Sequence, residues 1–394
     1  MSAPDRLPGE GGAAPDFAAR GMLDGLDGAA RESRVKLLES LLDEGCSLQE
    51  LEAAVAEGRL ALLPAELALG GIGELTAAEV AEQAGVDLEA LEAVRRAAGL
   101  PLPPRDVAAL GELDLFGARA LAAFIQGGLP LDGLVEASRV FGEAAAHAAA
   151  AAGTLANATI PQEGDTEYDY ARRLSIATRE LTPYAAELLG VMYMLHNREN
   201  IRQETAAAEE LIAGRRSDVH EITVGFCDVV GFTRLGEGVA AADLGAIATR
   251  LAALAAEAAE PPVRLIKTIG DAAMFVAPEP APLLDTVLCV MEAAEREGEQ
   301  FPSLHAGAAH GQALRRWGDY YGGPVNLAAR LTERARASSL ITDAAVRERA
   351  GDDRFAWSDA GFKKLKGFSE PTPVFRCRRA PRDGRGSRRG PAAG

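Results

Sequence analysis

The spacing of apolar residues changes once along this chain. From residue 17 to residue 213 they recur at intervals of three and four, the period of helices that bury one stripe, and no β-rich stretch interrupts them. Ser47 followed by Glu50, and Thr76 followed by Glu79, each stand just before an apolar run. A hydroxyl that accepts from the third amide, with a glutamate that reaches back, opens a helix at both places. Pro and Gly clusters near 100–104 and 127–130 separate further short helices. The alanine run 144–152, closed by Gly153, predicts a close-packed helix. A polar loop over 160–169 leads into a long helical pattern from 170 to 211, interrupted near Thr182-Pro183. Its last stretch, 197–213, is highly charged and runs straight into the first strand. A coupling element and a plain solvated linker helix are both open readings of it.

Beyond His220 the apolar residues bunch into short runs. The pattern predicts a strand over 221–230, a helix over 240–258, and strands over 263–269 and 272–276 turned by Gly270-Asp271. A helix over 281–297, a strand over 303–314, a helix over 322–337, a strand over 339–342 and a helix over 343–350 follow. Short strands over 355–357, 362–365 and 373–377 close the chain. The order β-α-β-β-α-β is that of a ferredoxin-like core. The expected fold class is therefore α+β, with an all-α domain ahead of that core. The partition is a disordered tail over 1–18, a helical domain over 19–196, a linker helix over 197–217, a second domain over 218–380 and a basic disordered tail over 381–394.

Charge sharpens this division. Of a formal net charge of −17, residues 1–210 hold 35 acidic and 16 basic side chains, which leaves the remainder close to +2. An acidic half is a poor binder of nucleic acid, so no nucleic-acid partner is expected. Residues 76–102 do look like a helix-turn-helix offering Arg95 and Arg96 to phosphates, but a plain helical hairpin with a Gly turn explains them as well. No apolar run of about 18 residues is free of charge, and the first residues lack the basic start and apolar core of a signal peptide. The expected compartment is the cytoplasm. Cys46, Cys227, Cys289 and Cys377 are widely spaced and read as reduced thiols, mostly core fillers.

Two strands each deliver one aspartate: Asp228 in Val-Gly-Phe-Cys-Asp-Val-Val-Gly-Phe-Thr, and Asp271 in Lys-Thr-Ile-Gly-Asp-Ala-Ala-Met-Phe. An unpaired carboxylate is costly among apolar residues, so such an aspartate usually meets a cation. Two of them suggest a pair of hard metal ions, and two metals suggest phosphoryl or nucleotidyl chemistry. The plainer reading makes both of them strand-end turn formers. In Gly318-Asp-Tyr-Tyr-Gly-Gly-Pro-Val-Asn-Leu-Ala-Ala-Arg, Asn326 and Arg330 lie four apart at a helix start and share a face. An amide beside a guanidinium suits a phosphate and a neighbouring sugar oxygen. The plain alternatives are a helix cap for Asn326 and an i,i+3 pair with Glu333 for Arg330.

These strings, together with Leu-Lys-Gly-Phe at 365–368, resemble the class III nucleotidyl cyclases over residues 218–380. The resemblance implies that Asp228 and Asp271 bind two Mg²⁺ or Mn²⁺ ions. The backbone from Gly231 through Phe232 and Thr233 would cradle the triphosphate, Lys267 and Asp319 would read the purine, Asn326 would orient the ribose, Arg330 would stabilise charge on the α-phosphate, and Lys366 would contact the phosphates. A lysine that donates to adenine N1 and an aspartate that accepts from the N6 amine favour ATP over GTP. Adenylate cyclase is the implied activity. Guanylate cyclase, and a DNA-binding regulator whose second domain only senses nucleotide, are the alternatives. In this family the metal aspartates come from one catalytic domain and the purine, Asn and Arg residues from another, which implies a head-to-tail homodimer with composite sites. The helical half is similar to the autoinhibitory, pH-sensing domain of some actinobacterial cyclases, which have been linked to lipid. A fatty acid or lipid channel and a plain helical core are both open there. His196 in the last helix and His220 at the junction with the first strand are the candidate pH-sensing residues.

Overall fold

The computed structural model describes residues 15–203 and 219–380, apart from 72, 233–237, 239, 299–300 and 352. The tails expected over 1–14 and 381–394 and the linker over 204–217 lie outside the described residues. The chain forms two compact units, Met1–Ala208 and Glu209–Gly394.

The first unit is helical. It contains α1 (Gly28–Asp43), α2 (Leu48–Ala56), α3 (Leu63–Gly70), α4 (Ala77–Ala84), α5 (Leu88–Ala97), α6 (Glu112–Gln126), α7 (Leu131–Thr159) and α8 (Glu167–Gln203). Both expected capping boxes are present. Glu50 N donates to Ser47 Oγ and Glu79 N to Thr76 Oγ1, each at 3.2 Å, while the two glutamates accept from the Ser47 and Thr76 amides. Each such cap is worth about 1 kcal/mol. Leu37, Leu38, Leu41, Leu51 and Leu60 make the first core, joined by Phe17, Met22 and Ala171. The tail expected to run to residue 18 therefore ends earlier, because burial of Phe17 anchors it. Val80, Leu91, Leu110 and Leu115 belong to a second core under α4, α5 and α6. Arg95 is buried there, paired with Asp114 and donating to Pro101 O at 3.1 Å. It is spent inside the fold and is not on offer to phosphates, whereas Arg96 is exposed.

Two expectations for the long helices are corrected. α8 runs unbroken through Pro183. The turn around it is exposed, so water can serve the carbonyl that the proline leaves unpaired. The alanine run lies in α7, which buries none of its residues, so the run is helical but not close-packed in one copy. Cys46, Cys227 and Cys377 are buried free thiols, and burial pushes Cys46 up to about 11 and Cys377 up to about 12. Among the described residues no helix is long and apolar enough to cross a membrane.

The second unit is built on one sheet with strands β1 (Val219–Val229), β2 (Arg264–Ile269), β3 (Ala272–Ala277), β4 (Leu304–Arg316), β5 (Asp319–Gly322), β6 (Ser339–Thr342), β7 (Phe355–Lys363) and β8 (Thr372–Arg379). Its order is β2-β3-β1-β4-β6-β8-β7, with β5 paired to β4. The stretch β4-β1-β3-β2 is antiparallel throughout, as in a ferredoxin-like core. β6 adds parallel to β4. Helices α9 (Ala241–Ala258) and α10 (Pro280–Arg296) cover one face, over a core that includes Cys227, Val229, Leu251, Phe275 and Leu283. Helix α11 (Gly323–Arg334) covers the other, over Ile222, Val224, Met274 and Ala309. β1 is thus buried on both faces, which is why its sequence is a nearly continuous apolar run. The expected strands 355–357 and 362–365 are one strand, β7, bent by a bulge between Asp359 and Phe362. β5 was not expected, since four residues are too few to show a period.

Candidate active site

Strand alternation decides where Asp228 goes. Ile222 and Val224 face α11, whereas Cys227 and Val229 face α9 and α10. Asp228 therefore falls on the α11 face, at the last turn of β1. There it lies in register with Ala272 on β3 and His305 on β4. Asp271 occupies the β2–β3 turn after Gly270, whose φ of +59° needs a residue without Cβ. A hydrogen bond of 3.1 Å from Val229 N to Asp271 O fastens this turn to the end of β1.

The two carboxylates are brought together at the end of β1, with His305 beside one of them. Asp228 Oδ1 is buried with no hydrogen-bond partner. The Asp271 carboxyl is pushed up from its ordinary range, first by burial and then by the charge of Asp228. Among the described residues, no group of three or more histidine, cysteine, aspartate or glutamate side chains is arranged to hold a metal.

His305 was missed from sequence. Its Nε2 lies 3.5 Å from Asp228 Oδ2, and its Nδ1 lies 3.1 Å from Ala335 O, just past the end of α11. A carboxylate at one nitrogen and a carbonyl at the other both require a donor, so the doubly protonated ring fits best. The pKa of His305 is raised accordingly, chiefly by its contact with Asp228. A raised histidine pKa adds stability that is fully present below the unfolded value of 6.5 and is lost as pH rises through the folded one. In EDTA, thermal melts of wild type and His305→Gln between pH 5.5 and 8.5 are expected to differ most at the acid end. Equal differences at every pH would remove the charged pair from consideration.

Lys267 and Asp319 also meet. Lys267 on β2 pairs directly with Asp319, the first residue of β5, and both side chains are partly covered. Asp319 Oδ1 accepts a further bond of 2.9 Å from Tyr320 N. Trp317 and Gly318, at φ 54° and 80°, make the two-residue turn that delivers Asp319.

Asn326 and Arg330 share α11. Gly322 is the N-cap and no side chain caps the helix, so Asn326 is exposed and not spent on capping. Arg330 is half-buried and pairs with Glu333, the i,i+3 alternative open from sequence. Asn326 lies nine residues before Ala335, the residue that meets His305, which is about 13 Å along the helix axis. Phe232 is half-buried against the α9–α10 core, Lys366 is exposed, and Thr233 lies outside the described residues. His196 is exposed on α8 and His220 is half-buried on β1 opposite Ala313.

Comparison with known proteins shows the family of the chain. The model of the adenylate cyclase regulatory domain matches residues 15–201. A pH-sensitive adenylate cyclase of Mycobacterium tuberculosis is 39% identical over 373 residues, covering 93% of each chain. An adenylate cyclase of Streptomyces coelicolor is 30% identical over 302 residues, covering 74% of this chain and 76% of its own. Among solved structures, the adenylyl cyclase CyaB from P. aeruginosa aligns at 21% identity and a TM-score of 0.35, covering 42% of this chain and 97% of its own. The chain belongs to the class III adenylate cyclases, with an adenylate cyclase regulatory domain ahead of its catalytic unit.

Proposed function

We propose that two copies of this chain convert ATP to 3′,5′-cyclic AMP and pyrophosphate, and that the regulatory domain restrains this activity until the medium turns acid. One observation carries the reading: Asp228 Oδ1 is buried without a partner beside Asp271, whose carboxyl is pushed up from its ordinary range by burial and by the charge of Asp228. Hard oxygen donors, one of them without a hydrogen-bond partner, fit Mg²⁺ or Mn²⁺, which when bound would supply positive charge for the triphosphate and acidify the ribose 3′-hydroxyl. Asp228 and Asp271 are the residues that would hold them.

The remaining roles are those the resemblance implies. The Lys267 ammonium donates to adenine N1 and the Asp319 carboxylate accepts from the N6 amine, and their contact already sets donor beside acceptor. Guanine presents the reverse pattern, which favours ATP. The backbone from Gly231 through Phe232 to Thr233, together with Lys366, holds phosphate oxygens. Asn326 orients the ribose. Arg330, released from Glu333, meets the charge that builds on the α-phosphate. In this reading the second copy supplies Asn326 and Arg330, as the resemblance implies, and the roughly 13 Å of helix between Asn326 and the Asp228 end of its own α11 agrees with that for Asn326. His196 and His220 carry the acid response in this reading, and the pH-sensitive relative supports it.

Product formation from ATP and from GTP with Mn²⁺, across pH 5.5 to 8, tests the proposal. Cyclic AMP is expected to dominate and to rise toward acid pH, and Asp228→Asn is expected to abolish it. A preference for GTP would overturn the purine assignment, and no cyclic product from either would overturn the activity. An unmoved pH profile in His196→Ala/His220→Ala would remove those two residues from the switch.

A further inference from the structure

A cleft of about 170 Å³ opens in the helical unit between α1 and α8. Arg172, Ile176 and Arg179 line it from one face of α8, at helical spacing. Leu37 of α1 and Pro64 of α3 give it a buried apolar wall. Its shape is set by the fold itself. Arg34 pairs with Glu167 at 2.5 Å, Tyr168 N donates to Ser33 Oγ at 2.9 Å, and the buried Ser175 hydroxyl donates to Pro64 O at 3.0 Å. These bonds tie α8 to α1 and to α3 around the cleft.

Charge in the cleft runs against the unit around it. Residues 1–210 carry 35 acidic and 16 basic side chains, so acids are in surplus. Arg20, Arg34, Arg59, Arg95, Arg105 and Arg173 each pair with one. Among the described residues, neither Arg172 nor Arg179 does. Arg172 donates only to the Tyr168 hydroxyl, at 3.3 Å. The one acid that lines the cleft, Glu44, accepts from Ser40 Oγ at 3.3 Å and keeps further acceptor capacity.

These groups specify the chemistry of a ligand. One guanidinium fork satisfies a carboxylate. Two unpaired forks on one cleft suit a phosphate, with its three oxygens and its charge of about −1.5 to −2. Glu44 would repel a bare anion but accepts from a hydroxyl. The volume limits size: a cavity of roughly 150 Å³ holds benzene, whereas larger ligands take roughly 300–1,000 Å³. A short carbon skeleton fits, and a nucleotide or a long acyl chain does not.

We propose that this cleft binds the phosphomonoester of a small polyol. Arg172 and Arg179 hold the phosphate, Glu44 accepts from a hydroxyl, and Leu37 and Ile176 lie against the carbons. The site is built wholly from the helical unit, and no residue of the catalytic reading takes part in it.

Calorimetric titration of the full-length chain in EDTA tests this. Glycerol 3-phosphate is expected to bind saturably at millimolar concentration or below, and glycerol is expected to give no binding. Arg172→Gln/Arg179→Gln is expected to weaken the phosphate ester at least about tenfold. Arg96→Gln, at an exposed arginine outside the cleft, is expected to leave it unchanged. Ile176→Trp fills the cleft while keeping both arginines, and is expected to weaken binding as far. If the double variant fails to fold, Ile176→Trp decides. Inorganic phosphate that binds as tightly as glycerol 3-phosphate overturns the polyol. Octanoate that binds more tightly, with the same loss in both variants, overturns the phosphate. Binding that survives both variants, or no binding at all, overturns the site.

Discussion

An Arg330→Ala chain is expected to lose about 10²–10³-fold in kcat while its KM for ATP changes less than about threefold. The guanidinium pairs with Glu333 in the free protein and is asked to act only where charge builds on phosphorus, so its loss falls on the transition state. The same variant reports on composition of the site. Mixed in equal amounts with Asp228→Asn, itself inactive, it is expected to restore about a quarter of wild-type activity. Half of the random dimers are then mixed, and each mixed dimer keeps one intact composite site of two. A mixture as inactive as its parents would mean that each chain builds its site from its own residues, against the spacing of Asn326 from Asp228 along α11.

Gly307→Ala is expected to cost about 3 kcal/mol or more and to lower the melting temperature of the catalytic unit by roughly 6–12 °C. A Cβ at this position of β4 would stand 2.4 Å from Thr332 N and 2.6 Å from Ala328 O, both in the backbone of α11. Backbone cannot rotate away as a side chain can, so the whole helix must shift. Because α11 carries Asn326 and Arg330, turnover should fall by more than the unfolded fraction explains. Gly245→Ala in α9, where nothing stands within 4 Å of the new methyl, is the matched control and should be neutral or slightly stabilising. A Gly307→Ala chain that melts with wild type would show that α11 is not pinned to β4 as the contact distances imply.

How much of this was legible in the sequence depends on the range of the interaction. Ser47 with Glu50 and Thr76 with Glu79 are contacts within four residues, and both capping boxes stand as read. Asp228 and Asp271 announced themselves because a carboxylate at the end of an apolar run is a local anomaly. His305 did not, for its meaning lies in a register with Asp228, 77 positions away, that no local pattern encodes. The place of Arg95 could not be read locally for the same reason: its pairing with Asp114, 19 positions on, is seen only in the fold. The alanine run shows the limit from the other side. Its composition permits close packing, and only the presence of a neighbour decides whether packing occurs.

The direct contact between Lys267 and Asp319 has a consequence for how a wrong nucleotide is refused. Before any base arrives, the ammonium and the carboxylate already satisfy each other. If these two residues read the base as proposed, an incoming purine must prise them apart and replace both halves of what it breaks. Adenine can, with N1 for the one and its amino group for the other. A base with the opposite pattern would leave two charges facing groups of the wrong kind, at about 1–3 kcal/mol for each unpaired group. The protein's own ion pair then re-forms and the visitor leaves, so fidelity here is a contest with an internal rival.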